Sequence, residues 1–425
     1  MGLRPCPQTL DMTKRLRLPE RFNQSKLWRQ AAAAAAVKGL LMCPFRNDQT
    51  FNHVSSLKCI LVISAFFAFS LVIPSTFAQE NDVKLNSYPQ ISGNIIFRMA
   101  NDTVYDSTTP VDRSSVFVES KDTFFETIAS PIVHFSKRLS INSELRLEGV
   151  RPPSEDRTFE DQGIFVRKLF AEFSASEHLS FHAGKITPSF ALASFVAAGM
   201  YGINYSKEIE LIERIGFGAA YAFDFGVLGK HTLTGSTFFE DTSILSDSLL
   251  SRRGQTRLSD GGASNTETFE SFTLSLEGTN IKWLPGFTYK LGYVHEAKGQ
   301  GDVADEDGFA IAASQAFRLR NGQSVFLFGE IAPLLNFEGS ADDILYSSAG
   351  LVYQSGPWNM ILSGTHRLRD LAAGGTNNDY SLQTAIKYDF GDDISFEVAH
   401  EFIRDQNVDS RRVGFRFIKV LELGR

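Results

Sequence analysis

The stretch IGFGAAYAFDFG, residues 215–226, alternates strictly between two kinds of side chain. Each even position is Gly, Ala or Asp, and each odd position is apolar: Ile215, Phe217, Ala219, Tyr221, Phe223 and Phe225. A period of two indicates a β-strand, because successive side chains of a strand point to opposite faces. The fold therefore depends on which face of such a strand meets water.

Segments of the same alternating kind recur along the rest of the chain, sixteen in all. They lie at 90–100, 123–136, 138–150, 163–175, 177–186, 214–226, 230–240, 269–279, 286–297, 308–319, 323–334, 343–354, 357–369, 380–390, 393–404 and 410–421. Most of them reach the roughly 9 to 11 residues that a tilted transmembrane strand needs. Over 269–279 the odd-position apolar face is less regular, because Leu274 is out of phase.

The connections between these segments alternate between short and long. Seven are tight and rich in turn-forming residues: 136–139, 174–178, 226–231, 279–286, 320–323, 354–357 and 391–393. The other eight are expected to be longer, as at 101–122, 187–213, 241–268 and 370–379. Short connections at one rim and long ones at the other are typical of an outer-membrane barrel.

A soluble β-sandwich also has many alternating strands, but it mixes strand lengths and crosses between two sheets. Sixteen uniform strands also carry more apolar face than one sandwich core would use. The sequence therefore predicts an all-β fold, a single transmembrane antiparallel β-barrel of about 16 strands with short periplasmic turns and long extracellular loops. Closure is expected because lipid offers no hydrogen bonds to an unpaired strand edge. Phe217, Tyr221, Phe223 and Phe225 would face lipid, and Gly216, Gly218 and Asp224 would face water.

An export signal supports this location. The uncharged block CILVISAFFAFSLVI, residues 59–73, follows Lys58 and precedes PSTFAQE, which predicts a secretory signal peptide cleaved after Ala78. As a membrane anchor the block would be short and would lack stop-transfer charges. We expect residues 1–53 to precede the true start of the protein, although a transit peptide would have a similar composition. Residues 54–78 are then the signal peptide, and residues 79–425 form the barrel.

Charge and cysteine content narrow the function. Ten of the 42 Lys and Arg residues and three of the 49 Asp and Glu residues lie in 1–78, so the remaining chain has a net charge of −14. Such an acidic chain is a poor partner for nucleic acid. All three cysteines also lie in 1–78, which leaves no disulfide and no cysteine metal site beyond it.

A barrel of sixteen strands is too wide for side chains to fill, so its interior should be a water-filled channel. The alternation assigns charges of both signs to the inner wall, and water makes their exposure there inexpensive. They are Arg98, Glu144, Arg146, Glu148, Lys168, Glu172, Asp224, Glu277, Lys290, Arg318, Arg320, Lys387, Glu397, Glu401 and Arg416. The net charge gives a mild preference for cations.

The connection at 187–214, TPSFALASFVAAGMYGINYSKEIELIER, is apolar and rich in small residues through its first half. An exposed loop rarely has this composition. We expect it to fold into the barrel and narrow it, with charged residues at or near the constriction: Lys207, Glu208, Glu210, Glu213 and Arg214. Packing against a neighbouring subunit or the outer rim is the alternative.

The stretch HAGKITPSFALASF, residues 182–195, runs from a strand ending in Gly-Lys through Pro188 and Phe190 into this loop. With the sixteen-strand rhythm, it resembles the Gram-negative outer-membrane porins and, more loosely, the phosphate-selective porin O and P group. The resemblance implies passive diffusion of small hydrophilic solutes or ions, contact with outer-membrane lipids, and a homotrimer. Two features depart from the family: there is no Arg/Lys ladder, and the chain ends FRFIKVLELGR without a terminal aromatic residue.

Sites for catalysis or metal binding are not evident in the sequence. His178 and His182 imitate helical zinc spacing, but on a strand they lie roughly 13 Å apart at about 3.3 Å per residue. The acidic stretch 299–308 departs from the EF-hand spacing despite Asp302, Asp305 and Asp307. We therefore predict a porin without catalytic residues or cofactors; an outer-membrane lipid hydrolase and a surface-binding or adhesion barrel are the alternatives.

Overall fold

The computed structural model describes residues 88–107 and 119–424, so the predicted signal peptide at 54–78 and the segment before it lie outside the described residues. The strands are β1 Gln90–Ser107, β2 Ser120–His134, β3 Leu139–Gly149, β4 Arg157–Thr158, β5 Gln162–Ser174, β6 Leu179–Ile186, β7 Arg214–Asp224, β8 Lys230–Glu240, β9 Leu249–Leu250, β10 Ser271–Thr279, β11 Phe287–Glu296, β12 Glu306–Arg318, β13 Ser324–Leu335, β14 Asp343–Ser355, β15 Trp358–Asp370, β16 Thr376–Gly391, β17 Ile394–Asp405 and β18 Val408–Leu423. One four-residue helix, α1 Ala193–Val196, lies in the connection after β6. No helix in the described part of the chain has the length and apolarity needed to cross a membrane.

The sheet is a closed barrel. The two-residue strands β4 and β9 lie in connections, and the other sixteen strands pair antiparallel with their neighbours. β1 and β18 close the ring over a register from Gly93↔Leu423 to Ser107↔Ser410. The all-β, sixteen-stranded prediction is confirmed, and closure pairs the first barrel strand with the last.

The outer wall is apolar and exposed. Phe217 and Tyr221 of β7 and Phe225, directly after it, are 50%, 49% and 60% exposed, whereas Gly216 is buried on the inner side. Similar exposed aromatic and aliphatic residues occur on each of the sixteen barrel strands. The aromatic face in residues 215–226 is therefore the outside of the barrel.

In β10 the predicted odd-position apolar face is wrong. Phe272 and Leu274 are exposed on the outer wall, and the odd positions Thr273 and Ser275 are buried on the inner one. The reason is that β10 begins at Ser271, so Phe269 precedes the strand and does not set its phase.

The connections differ in length between the two rims, with one correction. All seven predicted tight turns are present, but the last of the eight connections expected to be long, between β17 and β18, contains only two residues. Gln406 and Asn407 have φ of 47° and 68°, the left-handed pair of a tight hairpin turn. Similarly, β16 begins at Thr376, so the connection expected at 370–379 shrinks to 371–375.

Candidate functional site

The connection after β6 lies inside the barrel, in agreement with the predicted infolding. Its backbone follows the inner wall: the N–H groups of Leu192 and Ala193 donate to the Glu330 carboxylate of β13 at 2.5 and 3.0 Å. Farther along, Met200 N–H donates to Glu397 of β17 at 2.6 Å, and Tyr201 N–H donates to Gln383 of β16 at 2.5 Å. Side chains of the barrel thus satisfy the backbone donors of a loop that has no strand partner.

The tip of the loop is fixed to the wall at β1 and β18. The Tyr201 hydroxyl donates to Asp102 at 2.7 Å, and the Arg412 guanidinium lies 4.5 Å from the Tyr201 ring centre. Burial, and then the nearby Asp102 carboxylate, raises the pKa of the Tyr201 phenol well above its ordinary value, so the phenol remains a hydrogen-bond donor. Gly414 allows this approach, because a Cβ there would lie 2.3 Å from the Tyr201 hydroxyl.

Apolar residues from both halves of the loop form a core with one side of the inner wall. This core explains why the loop is rich in apolar residues, since they are buried in place of water. Its members are Phe190, Ala191, Tyr205, Ile209, Leu211, Phe238, Val294, Ala310, Ala332, Leu334, Phe337, Ile344, Tyr346 and Ile403. The lumen is therefore closed on the side of β8, β11–β14 and β17.

The returning half of the loop spans the lumen. Glu208 accepts hydrogen bonds from Tyr346 of β14 at 2.6 Å and from Arg367 of β15 at 2.9 Å. Two residues later, Glu210 pairs with Arg167 of β5 at 2.5 Å. Because β14 and β5 are eight strands apart in a ring of sixteen, they lie on opposite walls. We call this crossing, residues 208–210, the bridge; the remaining passage lies on the side of β18, β1, β2, β3 and β5.

Charged residues of both signs pair along the wall of this passage. Arg98 contacts Glu126 at 2.7 Å, Arg146 contacts Glu144 at 2.8 Å, and Lys168 contacts Glu144 at 3.2 Å. Further pairs join Arg146 to Glu148 at 3.3 Å and Arg416 to Glu397 at 3.1 Å. The predicted lumen residues Arg98, Glu144, Arg146, Glu148, Lys168 and Arg416 thus lie together here. Since each of these cations has a carboxylate beside it, the wall presents no row of cations of the kind that a strong anion selector would need.

A bulge in β5 brings in a cation that the sequence alternation missed. The register of β3 with β5 shifts between Glu144, opposite Lys168, and Leu145, opposite Val166. The extra residue, Arg167, therefore shares the inner face with Lys168. In the sequence, only the adjacent pair Arg167-Lys168 indicates a bulge. A strict period of two would place one of these two cations on the lipid-facing side of the barrel.

The five residues predicted at the constriction divide into three groups. Glu208 and Glu210 lie in the bridge, and Lys207, directly before Glu208, is exposed. Arg214 lies on the inner wall and contacts Glu296 at 3.2 Å. Glu213 does not lie at the passage; it is buried at the junction of loop and wall, because the chain has already returned to the barrel to start β7.

Glu213 belongs to a buried ionic cluster at this junction. Lys185, the last residue but one of β6, is 2% exposed, and its Nζ contacts Glu213 at 3.1 Å and Asp241 at 2.7 Å. Arg253 also contacts Glu213, at 2.5 Å. Lys185 lies where the chain leaves the wall and Glu213 where it returns, so we call these four residues the junction cluster. In the sequence, Lys185 is notable only as part of the stretch 182–195 that resembles the porins, and no local pattern indicates its partners.

The infolded loop also leaves a gap in the wall that another connection fills. β6 ends at Ile186, so residues 162–164 of β5 have no β6 partner. The short strand β9, in the connection between β8 and β10, pairs with them at Gly163↔Leu250 and Ile164↔Leu249. An exposed sheet edge is thereby covered.

Four other predicted lumen charges have different surroundings. Lys387 pairs in register with Glu397 on the inner face, and Arg318 is the last residue of β12. Arg320 is wrongly assigned to the lumen wall: it lies in the rim turn 320–322, after the strand has ended. The Lys290 ammonium lies 6.0 Å from the Phe195 ring centre, beneath the loop.

The histidines and the acidic stretch have structural partners. His182 Nε2 lies 3.0 Å from Ser236 Oγ. Asp302 accepts the N–H groups of Gly262 and Gly299 at 3.1 and 2.7 Å, so this acidic residue ties two connections together. Within the ranges that the structure describes, no group of three His, Cys, Asp or Glu is placed to hold a metal ion.

Comparison with known proteins places the fold among outer-membrane channels. The outer membrane channel DcaP of Acinetobacter baumannii has a TM-score of 0.53 at 11% identity, over 78% of this chain and 98% of that chain. OprB of Pseudomonas putida has a TM-score of 0.53 at 8% identity, over 78% of this chain and 94% of that chain. OmpF of Salmonella typhi, solved with daunomycin, has a TM-score of 0.53 at 12% identity, over 78% of this chain and 98% of that chain. No protein-family model and no curated protein matches the sequence. At these identities the likeness concerns the fold.

Proposed function

We propose that this chain is an outer-membrane porin, a water-filled channel for passive diffusion of small hydrophilic solutes or ions. One observation carries the proposal: a closed barrel exposes apolar residues outside, lines a passage with ion pairs inside, and narrows that passage with its own loop. Exposed aromatic residues suit a lipid surface, whereas the charged wall is inexpensive only beside water. The structural likeness to outer-membrane channels supports the same role.

The hydrogen-bond partners of the histidines that contact serines favour a channel over a lipid hydrolase. A hydrolytic serine needs a histidine that is itself oriented by a third polar group, usually a carboxylate. His182 meets Ser236 and His134 meets Ser92 at 2.9 Å, but neither histidine bonds a carboxylate within the described residues. The proposal therefore includes no catalytic residue and no cofactor.

Location and assembly follow from the same proposal. Cleavage of the predicted signal peptide after Ala78 would deliver the barrel to the outer membrane of a Gram-negative bacterium. The family resemblance leads us to propose a homotrimer. The mass of the detergent-solubilised complex measures the number of subunits.

Solute entry into vesicles tests the channel directly. Proteoliposomes that contain the folded barrel should swell in small sugars, at rates that fall as the sugar grows, because the bridge and the loop leave only part of the lumen open. Empty vesicles provide the control. Folded, inserted protein that admits no solute would contradict the proposal.

Ion preference is expected to be weak. The passage wall pairs its cations with carboxylates, so neither sign of ion meets an uncompensated field. Reversal potentials across a tenfold KCl gradient should stay near zero, with a slight cation preference from the net charge. A strongly anion-selective potential would instead favour the phosphate-selective group.

A further inference from the structure

A groove of about 430 Å³ lies on the outer wall at the rim of the short turns, which faces the periplasm in the proposed orientation. Two neighbouring turns border it, residues 225–229 and 280–286, and the Lys282 N–H of one donates to the Val227 carbonyl of the other at 3.1 Å. The side chains that line the groove are all aromatic or aliphatic, among them Phe225, His231, Ile281, Trp283 and Tyr289. The wall is therefore concave here, whereas the outside of a barrel is in general convex.

A glycine explains the depression. Gly278 of β10 lies in register between His231 of β8 and Tyr289 of β11. A Cβ at this position would lie 2.1 Å from the Tyr289 ring, so the missing side chain lets the ring approach β10. Both ring nitrogens of His231 have partners, the Tyr289 hydroxyl at 2.9 Å and the Leu228 carbonyl at 3.1 Å. Since these polar atoms are already paired with each other, the groove suits an apolar occupant.

An acyl chain fits the position and the shape of the groove. The groove opens on the outer wall, whose exposed apolar residues face lipid in the proposed porin. An empty groove would leave its lining without contacts on one side, because dispersion attraction requires partner atoms nearby. A second copy of the barrel would present a convex wall, which cannot enter the groove, whereas a narrow and flexible hydrocarbon chain can. Lipid tails are themselves apolar, so any preference for the groove must come from such contacts and from charge.

A cation lies beside the groove. Lys282 stands between two lining residues, Ile281 and Trp283, and is exposed. Among the residues that the structure describes, no carboxylate forms an ion pair with its ammonium group. Asp224, on the neighbouring turn, accepts the Gly226 N–H at 2.7 Å and has the inner-face parity of β7. Tryptophan is enriched where hydrocarbon meets headgroups, so a lysine next to Trp283 lies at the level of the lipid phosphates, which ammonium groups bind.

We propose that this groove holds one phospholipid of the periplasmic leaflet, with an acyl chain against Phe225, His231 and Trp283 and its phosphate on Lys282. The inference rests on the proposed outer-membrane location of the barrel and is independent of conduction. An anionic phospholipid such as phosphatidylglycerol is preferred over phosphatidylcholine, because the ammonium group of a zwitterionic headgroup offsets the attraction of its phosphate to Lys282.

The two tryptophans beyond residue 78 allow a matched test, because Trp283 and Trp358 are both exposed and both lie at the rim of the short turns. Trp358→Phe leaves Trp283 as the reporter, and Trp283→Phe leaves Trp358. The mature protein is inserted into phosphatidylcholine vesicles that contain increasing fractions of phosphatidylglycerol with brominated chains, which quench tryptophan. Quenching of Trp283 should be half complete at a mole fraction at least tenfold lower than quenching of Trp358.

Two pairs of variants, each with Trp283 as the reporter, separate the acyl chain from the headgroup. Phe225→Ser should raise the half-quenching mole fraction at least tenfold, whereas Phe135→Ser, which changes an exposed phenylalanine at another short turn, should leave it unchanged. Lys282→Gln should remove the preference for brominated phosphatidylglycerol over brominated phosphatidylcholine. Lys137→Gln, at an exposed lysine of another short turn, should retain that preference.

The outcomes separate this site from the proposed porin. Equal quenching of the two tryptophans at every mole fraction would overturn the lipid site and leave the channel intact. No quenching of either tryptophan in folded, inserted protein would show that this rim does not meet lipid, and would remove both proposals. A loss of subunit association in Phe225→Ser would make the groove a contact between copies of the barrel and would also overturn the lipid site. Preferential quenching of Trp283 in a barrel that carries no current would support the lipid site and remove the channel alone.

Discussion

Glu208→Ala combined with Glu210→Ala should raise the single-channel conductance several-fold and shift the channel toward anions. The two carboxylates fix the bridge to opposite walls, through Arg367 and Tyr346 on one side and Arg167 on the other. Without them residues 208–210 lose their two charged attachments to the walls, and the passage widens. The double change also adds two units of positive charge, since Arg167 and Arg367 stay behind.

Lys207→Ala is the matched control for this experiment. Lys207 directly precedes Glu208 on the same loop, and it is exposed. Its loss removes one positive charge, so it should shift the reversal potential slightly toward cation preference and leave the conductance near that of the wild type. Equal conductance of the double variant and Lys207→Ala would show that residues 208–210 do not limit the passage.

Lys185→Met should strongly destabilise the barrel. The side chain is buried and its ammonium group compensates Glu213 and Asp241. Removing one partner of a buried ionic group typically costs about 3–5 kcal/mol, because the remaining charge loses its compensation while staying out of water. Urea unfolding in lipid vesicles, followed by tryptophan fluorescence, measures the loss.

Two further variants separate charge from packing at this site. Lys230→Met removes an exposed lysine from the start of β8 and should leave the unfolding midpoint almost unchanged. Lys185→Met with Asp241→Asn removes a charge of each sign and should recover part of the lost stability. An unfolding midpoint of Lys185→Met equal to the wild type would show that the junction cluster carries no stability.

The strands could be predicted because the membrane simplifies the pattern. Each barrel strand has one face in lipid and one toward the lumen, so a period of two survives over its whole length, as in residues 215–226. All sixteen segments occur as strands. In β10 the apolar side chains occupy the even positions and not the predicted odd ones, because Phe269 lies just before the strand begins. The short connection at Gln406-Asn407 was missed because its flanking strands extend further than their apolar faces do.

The candidate site was less predictable because it depends on contacts across the barrel. The composition of 187–214 indicated burial of the loop, and the charges at 208 and 210 were recognised. Their partners Arg167, Tyr346 and Arg367 lie on distant strands, and no local pattern connects them with the loop. Arg412 shares the inner face with Arg416, so alternation alone could have found it.

Stepwise current in a planar bilayer tests the central claim most directly. Purified, folded protein added to a bilayer in 1 M KCl should produce discrete conductance steps of uniform size, and the Glu208→Ala, Glu210→Ala variant should produce larger ones. Both results would follow if water fills the barrel and residues 208–210 narrow it. Folded protein that inserts into the bilayer and yet carries no current would contradict the account.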